Sequence, residues 1–236
     1  MKRLAFVVLL LLTACATQEI SHERIAAIIA SPDRGDADRK NDVRRKPADM
    51  LAFIGVREGM VALDVSAAGG YTTELLARAV GPGGRVYGQT RAPDPRQRLA
   101  QRKMSNIIPV VRPFEDPAPP EAASNALDLV TLMFNYHDFG HMGIDRAKVN
   151  AAVYQALKPG GMYIVADHSG RPGTGISESG TLHRIEEAFL RKEVEAAGFR
   201  FVAEGRFLRN PNDPRDRETP EPPQPKDEFV LKFVKP

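Results

Sequence analysis

From Gly59 onward, short runs rich in valine, leucine and isoleucine alternate with longer amphipathic stretches, and this alternation restricts the fold more than any other feature of the chain. The pattern predicts strands over residues 60–65, 85–89, 107–111, 127–134 and 162–166, with helices over 71–80, 94–104 and 144–157. Strand-helix alternation with strands apolar throughout implies a parallel sheet covered on both faces. A helix over 183–197, ending at Gly198, then leads to strands over 199–208 and 229–234. A polar, proline-rich loop joins these last two strands, which predicts an antiparallel pair at the sheet edge.

Ahead of this block, residues 21–30 predict a helix capped by Ser21, residues 31–42 read as a charged turn, and residues 46–54 predict a second helix. The first residues have a different character. Lys2 and Arg3 precede an apolar run that closes on Leu12-Thr13-Ala14-Cys15. That is the pattern of an export signal, and its ending resembles a bacterial lipobox, with Cys15 as the lipid-modified residue. Cys15 is the only cysteine, so no intramolecular disulfide can form. The expected organisation is a signal peptide over 1–14, a lipid-anchored N-terminal segment over 15–46 and an α/β domain over 47–236. The expected location is the periplasmic face of a bacterial membrane, the outer one in a Gram-negative cell.

Lys and Arg number 33 against 30 Asp and Glu, and loss of Lys2 and Arg3 with the leader leaves 31 against 30. A nearly neutral, interspersed charge gives no electrostatic case for nucleic acid and leaves a small-molecule substrate as the expected partner. Oligomeric state is not encoded in any feature of the sequence.

Leu63-Asp64-Val65-Ser66-Ala67-Ala68-Gly69-Gly70 passes from a strand through small residues into a helix, the form of a nucleotide-binding turn. Together with 127–138, with the Lys158-Pro159-Gly160-Gly161 turn before the fifth strand, and with the C-terminal elements, it resembles the class I S-adenosylmethionine-dependent methyltransferases. A group of bacterial predicted methyltransferases sharing Asn135-Tyr136-His137-Asp138 and Asp167-His168-Ser169 is especially similar. The resemblance implies a seven-stranded, mostly parallel, doubly wound Rossmann-like sheet with an antiparallel C-terminal edge strand, and S-adenosylmethionine as cofactor. It implies that Asp64 orients the loop and that Ser66, Ala67, Gly70, Thr90, Phe114 and Asn135 contribute to the cofactor site.

Ser66 and Ala68 stand where the family has glycine, and Thr90 stands where an acid would meet the ribose. Phe114 is either a stacking partner for a base or a core aromatic. Histidine titrates near neutral pH, so His137, supported by Asp138, is the first candidate for a base in methyl transfer, and His168 the second. His183 and Glu186 would share a helix face and could join His137, Asp138, Asp167 and His168 around a metal, although the tight spacing of a metal-binding string is missing and no metal is assigned. The competing reading is a non-catalytic ligand-binding lipoprotein on a degenerate methyltransferase fold.

Overall fold

A computed structural model describes residues 19–221 and 223–236, so the expected leader and Cys15 lie outside the described residues. Seven strands, β1 (Val61–Val65), β2 (Arg85–Thr90), β3 (Ile107–Val111), β4 (Leu127–Met133), β5 (Leu157–His168), β6 (Arg200–Gly205) and β7 (Glu228–Val234), form one sheet in the order β3-β2-β1-β4-β5-β7-β6. The first five are mutually parallel. β7 runs antiparallel to both β5 and β6, and it lies one place in from the edge.

Alternation along each strand divides the core in two. Leu63 and Val65 of β1 pack on one face with Val149 and Val153 of α6 (Arg146–Ala156) and Leu190 and Val194 of α7 (Glu187–Ala196). Ala62 faces the opposite layer, where it meets α1 (His22–Ala30), α3 (Pro47–Ile54) and α4 (Tyr71–Val80) through Ile25, Leu51 and Leu76. A short helix, α5 (Asp138–His141), follows β4. Chain order reverses between β1 and β4, and in a doubly wound sheet ligands bind in the crevice at the carboxyl ends of strands at such a switch. Among the described residues no helix is long and apolar enough to cross a membrane.

Three expectations need correction. The charged stretch after α1 is a helix, α2 (Asp36–Arg45), with Asp36 and Asp38 in its first turn and Arg44 and Arg45 in its last, which suits the helix dipole. Tertiary contact completes it, because the buried Arg34 guanidinium donates to Asp42 Oδ2 and Oδ1 at 2.7 and 2.8 Å and to Ile29 O at 3.0 Å. The helix expected over 94–104 reduces to one 3₁₀ turn at Ala100–Arg102. Asp94 bends the chain there by accepting from the backbone N–H groups of Arg96 and Arg98, both at 3.1 Å, and Leu99 is drawn into the core.

The helix expected from residue 183 starts only at Glu187. His183 has a left-handed backbone, φ 51°, and Ile185 forms a bridge with Ser169, so residues 183–186 are held along β5 and the shared helical face of His183 and Glu186 does not exist. Lys158 to Gly161 is a bulge inside β5: Leu157 pairs with Leu127, and pairing resumes with Met162 opposite Leu129.

Candidate active site

The loop after β1 keeps the path of a glycine loop although Ser66 and Ala68 replace two of the glycines. Ser66 and Ala68 have φ of 59° and 47°, and Gly70 has φ of 81°. Each non-glycine residue in this region costs about 1–2 kcal/mol, an expense that surrounding contacts must offset. Those contacts are present: Ser66 N donates to Gln89 Oε1 at 2.9 Å, Ala67 N to Gln89 O at 2.8 Å, and Gly70 N to Ala67 O at 2.7 Å. Asp64, buried beneath the loop, accepts from Thr73 Oγ1 at 2.6 Å and Thr131 Oγ1 at 2.8 Å. It thereby ties the start of α4 to β4. Burial raises its carboxyl to about 6, against the lowering effect of these hydroxyls.

Above the loop is a cavity of about 620 Å³, bounded by Asp64 to Gly69, by Arg45 and neighbouring residues of α2, by Arg98 to Arg102, and by Met133. That volume is in the range of small-molecule sites. Asp64, Ser66 and Ala67 line it. Gly70 does not: its role is to admit Leu99, whose Cδ1 would lie 2.6 Å from a Cβ at that position. A Cβ on Gly88 would likewise lie 2.4 Å from Cδ2 of the same leucine. Thr90 is paired in β2 and also lies off the cavity, while Gln89 is spent on Ser66 N and on Arg112 O, to which its Nε2 donates at 2.6 Å. Phe114 is a core aromatic, buried with its ring centroid 4.8 Å from that of Phe139.

Arg45 is among the cavity residues that sequence pattern missed. Its guanidinium carbon stands 3.8 Å from the centre of the Phe134 ring, and among the described residues it makes no hydrogen bond or ion pair. Burial, with a smaller effect of Arg44, pushes its pKa down to about 10, so it remains a cation at neutral pH. Only the fold brings the end of α2 to the end of β4, so spacing along the chain carries no signal of it.

The polar turns after β4 and β5 meet as expected. Asp167 is fully buried and accepts from the backbone N–H of His137 at 2.7 Å and of His168 at 2.8 Å. Its Oδ1 is 2.5 Å from His137 Nδ1, and His137 Nε2 is 3.1 Å from Asp138 Oδ1. Burial alone would lower the pKa of His137, but the carboxylates of Asp167 and Asp138 outweigh it and raise the ring to about 9. These two carboxylates thus favour the protonated ring of His137. Asp138 is held well below the usual carboxylate range by His137 and His183, despite its burial.

Asn135 does not line the cavity. It supports the cluster instead, with Nδ2 donating to Asp138 Oδ2 at 2.8 Å while its buried Oδ1 has no partner. His168 lies 5.3 Å from His137 and 5.5 Å from Phe134, ring centre to ring centre, and burial lowers its pKa. Its Nδ1 is 3.0 Å from Glu228 Oε1 in an arrangement too bent for a hydrogen bond. Phe134, with a left-handed backbone at φ 60° and its N–H on Ala166 O at 2.6 Å, links cavity and cluster, touching Arg45 on one side and His168 on the other. His183 and His141 complete the group, whereas Glu186 turns away to accept from Gly175 N at 3.0 Å.

This architecture is shared with known proteins. Residues 63–165 match the model of a methyltransferase domain family. Ubiquinone/menaquinone biosynthesis C-methyltransferases from two strains of Klebsiella pneumoniae are each 31% identical to the chain over 118 residues, which are 49% of this chain and 45% of theirs. The chain thus spans about half the length of the curated relatives it matches. Among solved structures, a methyltransferase from Aquifex aeolicus that depends on S-adenosylmethionine superimposes with a TM-score of 0.63 at 17% identity, covering 92% of this chain and 100% of the other. An arsenic(III) methyltransferase from Chlamydomonas reinhardtii gives 0.58 at 17% identity, with 90% and 73% covered. Aeropyrum pernix fibrillarin, with natively bound S-adenosylmethionine, gives 0.52 at 22% identity, with 76% and 68% covered. The chain has the seven-stranded Rossmann-like methyltransferase fold.

Proposed function

We propose that this chain, built on the methyltransferase fold, transfers a methyl group from S-adenosylmethionine to a small acceptor. The carrying observation is Arg45, a buried-edge cation with no hydrogen-bonding or ionic partner among the described residues, stacked on Phe134 and facing a cavity of about 620 Å³ at the switch point of the sheet. Such a site calls for a ligand that brings its own carboxylate, and the methionine part of the cofactor does so. Ser66 and Ala67 offer the backbone and Asp64 the floor against which that ligand rests. The left-handed conformations retained at Ser66 and Ala68 support a working loop over a decayed one.

When bound, S-adenosylmethionine supplies an electrophilic methyl on a sulfonium. The protein's part is to align an acceptor near the ends of β4 and β5, since orientation is a large share of such catalysis. His168, whose pKa burial lowers, stands at that end beside Phe134 and His137 and is assigned the acceptor's proton. His137, held between Asp167 and Asp138, is assigned the positioning of Asp138.

Calorimetric titration of the purified protein with S-adenosylmethionine and S-adenosylhomocysteine tests the reading. Micromolar binding, about −8 kcal/mol, is expected, and Arg45→Gln should weaken it roughly tenfold or more, by loss of a charge-assisted contact of about 1.5–3 kcal/mol. Absence of heat and of any thermal shift at millimolar ligand would overturn the reading in favour of a binding protein with a different ligand.

Export and lipid attachment at Cys15 are part of the same proposal, resting on the sequence from Lys2 to Cys15. Cys15→Ala should move the protein from the membrane fraction to the soluble fraction of the producing bacterium. Unchanged membrane fractionation would remove the anchor from the proposal.

A further inference from the structure

Four of the five histidines in the chain stand in one cluster at the ends of β4 and β5. They come from separate segments: His137 precedes α5 and His141 is its last residue, His168 closes β5, and His183 comes from the left-handed turn before α7. At the centre is one carboxylate oxygen. Asp138 Oδ1 is 3.1 Å from His137 Nε2 and 3.0 Å from His183 Nδ1, and the ligand atoms of these three residues all lie within 4.8 Å of one another. Nitrogens and a carboxylate oxygen around one cation at about 2.0–2.2 Å from it would be separated by roughly 3 Å or slightly more, and two of these separations already have that value.

The surroundings match what metal-binding histidines need. A ligating imidazole ordinarily gives its other nitrogen to a carboxylate, which fixes the ring's orientation and its tautomer. Asp167 does this for His137: it holds Nδ1 at 2.5 Å and leaves Nε2 turned toward Asp138. Asp167 is itself held in place by full burial and by two backbone N–H groups that donate to it. Asn135 fixes the second oxygen of Asp138 at 2.8 Å, leaving Oδ1 to the cluster. Ser179 donates to His137 O at 2.6 Å and lies 3.0 Å from His141 Nδ1, whose distance to Asp138 Oδ1 is 3.9 Å. A solvated surface ion pair has no use for so many outer supports.

We infer that His137, Asp138 and His183 form a binding site for a divalent first-row transition cation. Two imidazoles and one carboxylate suit zinc or iron(II) and do not suit magnesium or calcium, which take oxygen ligands almost exclusively. Three protein ligands leave coordination positions open, the arrangement of a catalytic site more than of a structural one. The inference stands apart from methyl transfer: it rests on side chains outside the cavity and needs no bound cofactor.

The test titrates the full-length protein, stripped with chelator and free of S-adenosylmethionine, with Zn²⁺ by calorimetry and with Co²⁺ by visible absorption. One equivalent should bind, and cobalt should develop d–d bands. Asp138→Asn and His183→Gln should each weaken binding by more than tenfold and alter the cobalt spectrum, and Asp167→Asn, which removes only an outer support, should weaken it about 10–100-fold. His22→Gln, in the exposed first turn of α1, should change nothing. His183 is more than one third exposed, so its variant can be checked for folding by its melting curve against the wild type. Failure to bind either ion at one equivalent, or binding that survives both ligand variants unchanged, would overturn the assignment, and neither result bears on cofactor binding in the cavity.

Discussion

Asp64 shows how one position can be readable in role and unreadable in energy. A carboxyl raised to about 6 in the folded protein, from an ordinary value near 4, holds a proton that the unfolded chain has already released between those pH values. Folding is unpenalised below the lower value, loses stability as pH rises from 4 to 6, and carries the whole cost above 6, at most about 3 kcal/mol. Stability measured by urea unfolding should therefore rise for wild type relative to Asp64→Asn as pH falls from 7 to 4. A difference that stays constant over this range would show that Asp64 titrates normally. The family resemblance implies that Asp64 orients the loop, but its partners Thr73 and Thr131 come from α4 and β4, which no local pattern joins. Ser66 and Ala68 were legible as departures from glycine. That both would nevertheless keep positive φ depends on Gln89, whose side chain and carbonyl pin the loop from the neighbouring strand.

Elements with a strong apolar period were placed nearly residue for residue, as with α4 and β3, because burial of one face decides both their type and their limits. Elements without one were missed. α2 has a charged sequence and forms because Arg34 clamps Asp42, while the stretch at 94–104 has helical spacing and is diverted by Asp94 and Leu99. The polar, proline-rich loop after β6 illustrates the same point. Arg184 and Asp213 both have fully buried side chains, their Nη1 and Oδ2 atoms 2.9 Å apart, and Arg184 Nη1 also donates to Ser169 O at 3.0 Å. Composition suggests a loose connection, yet this loop is bolted to the end of β5. Removing one member of a buried pair costs about 3–5 kcal/mol because the other is left uncompensated. Arg184→Met should lower stability by about that amount in chemical denaturation and make the 209–227 loop the first site of proteolytic cleavage. A loss below about 1 kcal/mol would mean that water reaches Asp213 and the clamp is dispensable.

At the scale of the whole molecule, the alternating pattern was enough for the parallel sheet and its two helical layers, and the antiparallel late strands were also legible. The order β5-β7-β6 was not, because periodicity records which face of a strand is buried and says nothing of its neighbour. That order has a consequence in time. β6 emerges from the ribosome well before β7, the strand it pairs with, so for the interval of synthesis between residues 205 and 228 the sheet ends at β5 and β6 has no place in it. Glu228, the first residue of β7, bridges Arg44 and the surroundings of His168. The end of the sheet that carries the histidine cluster is thus finished by the last strand to arrive, and a chain that stops short of Glu228 lacks the carboxylate that stands beside both Arg44 and His168.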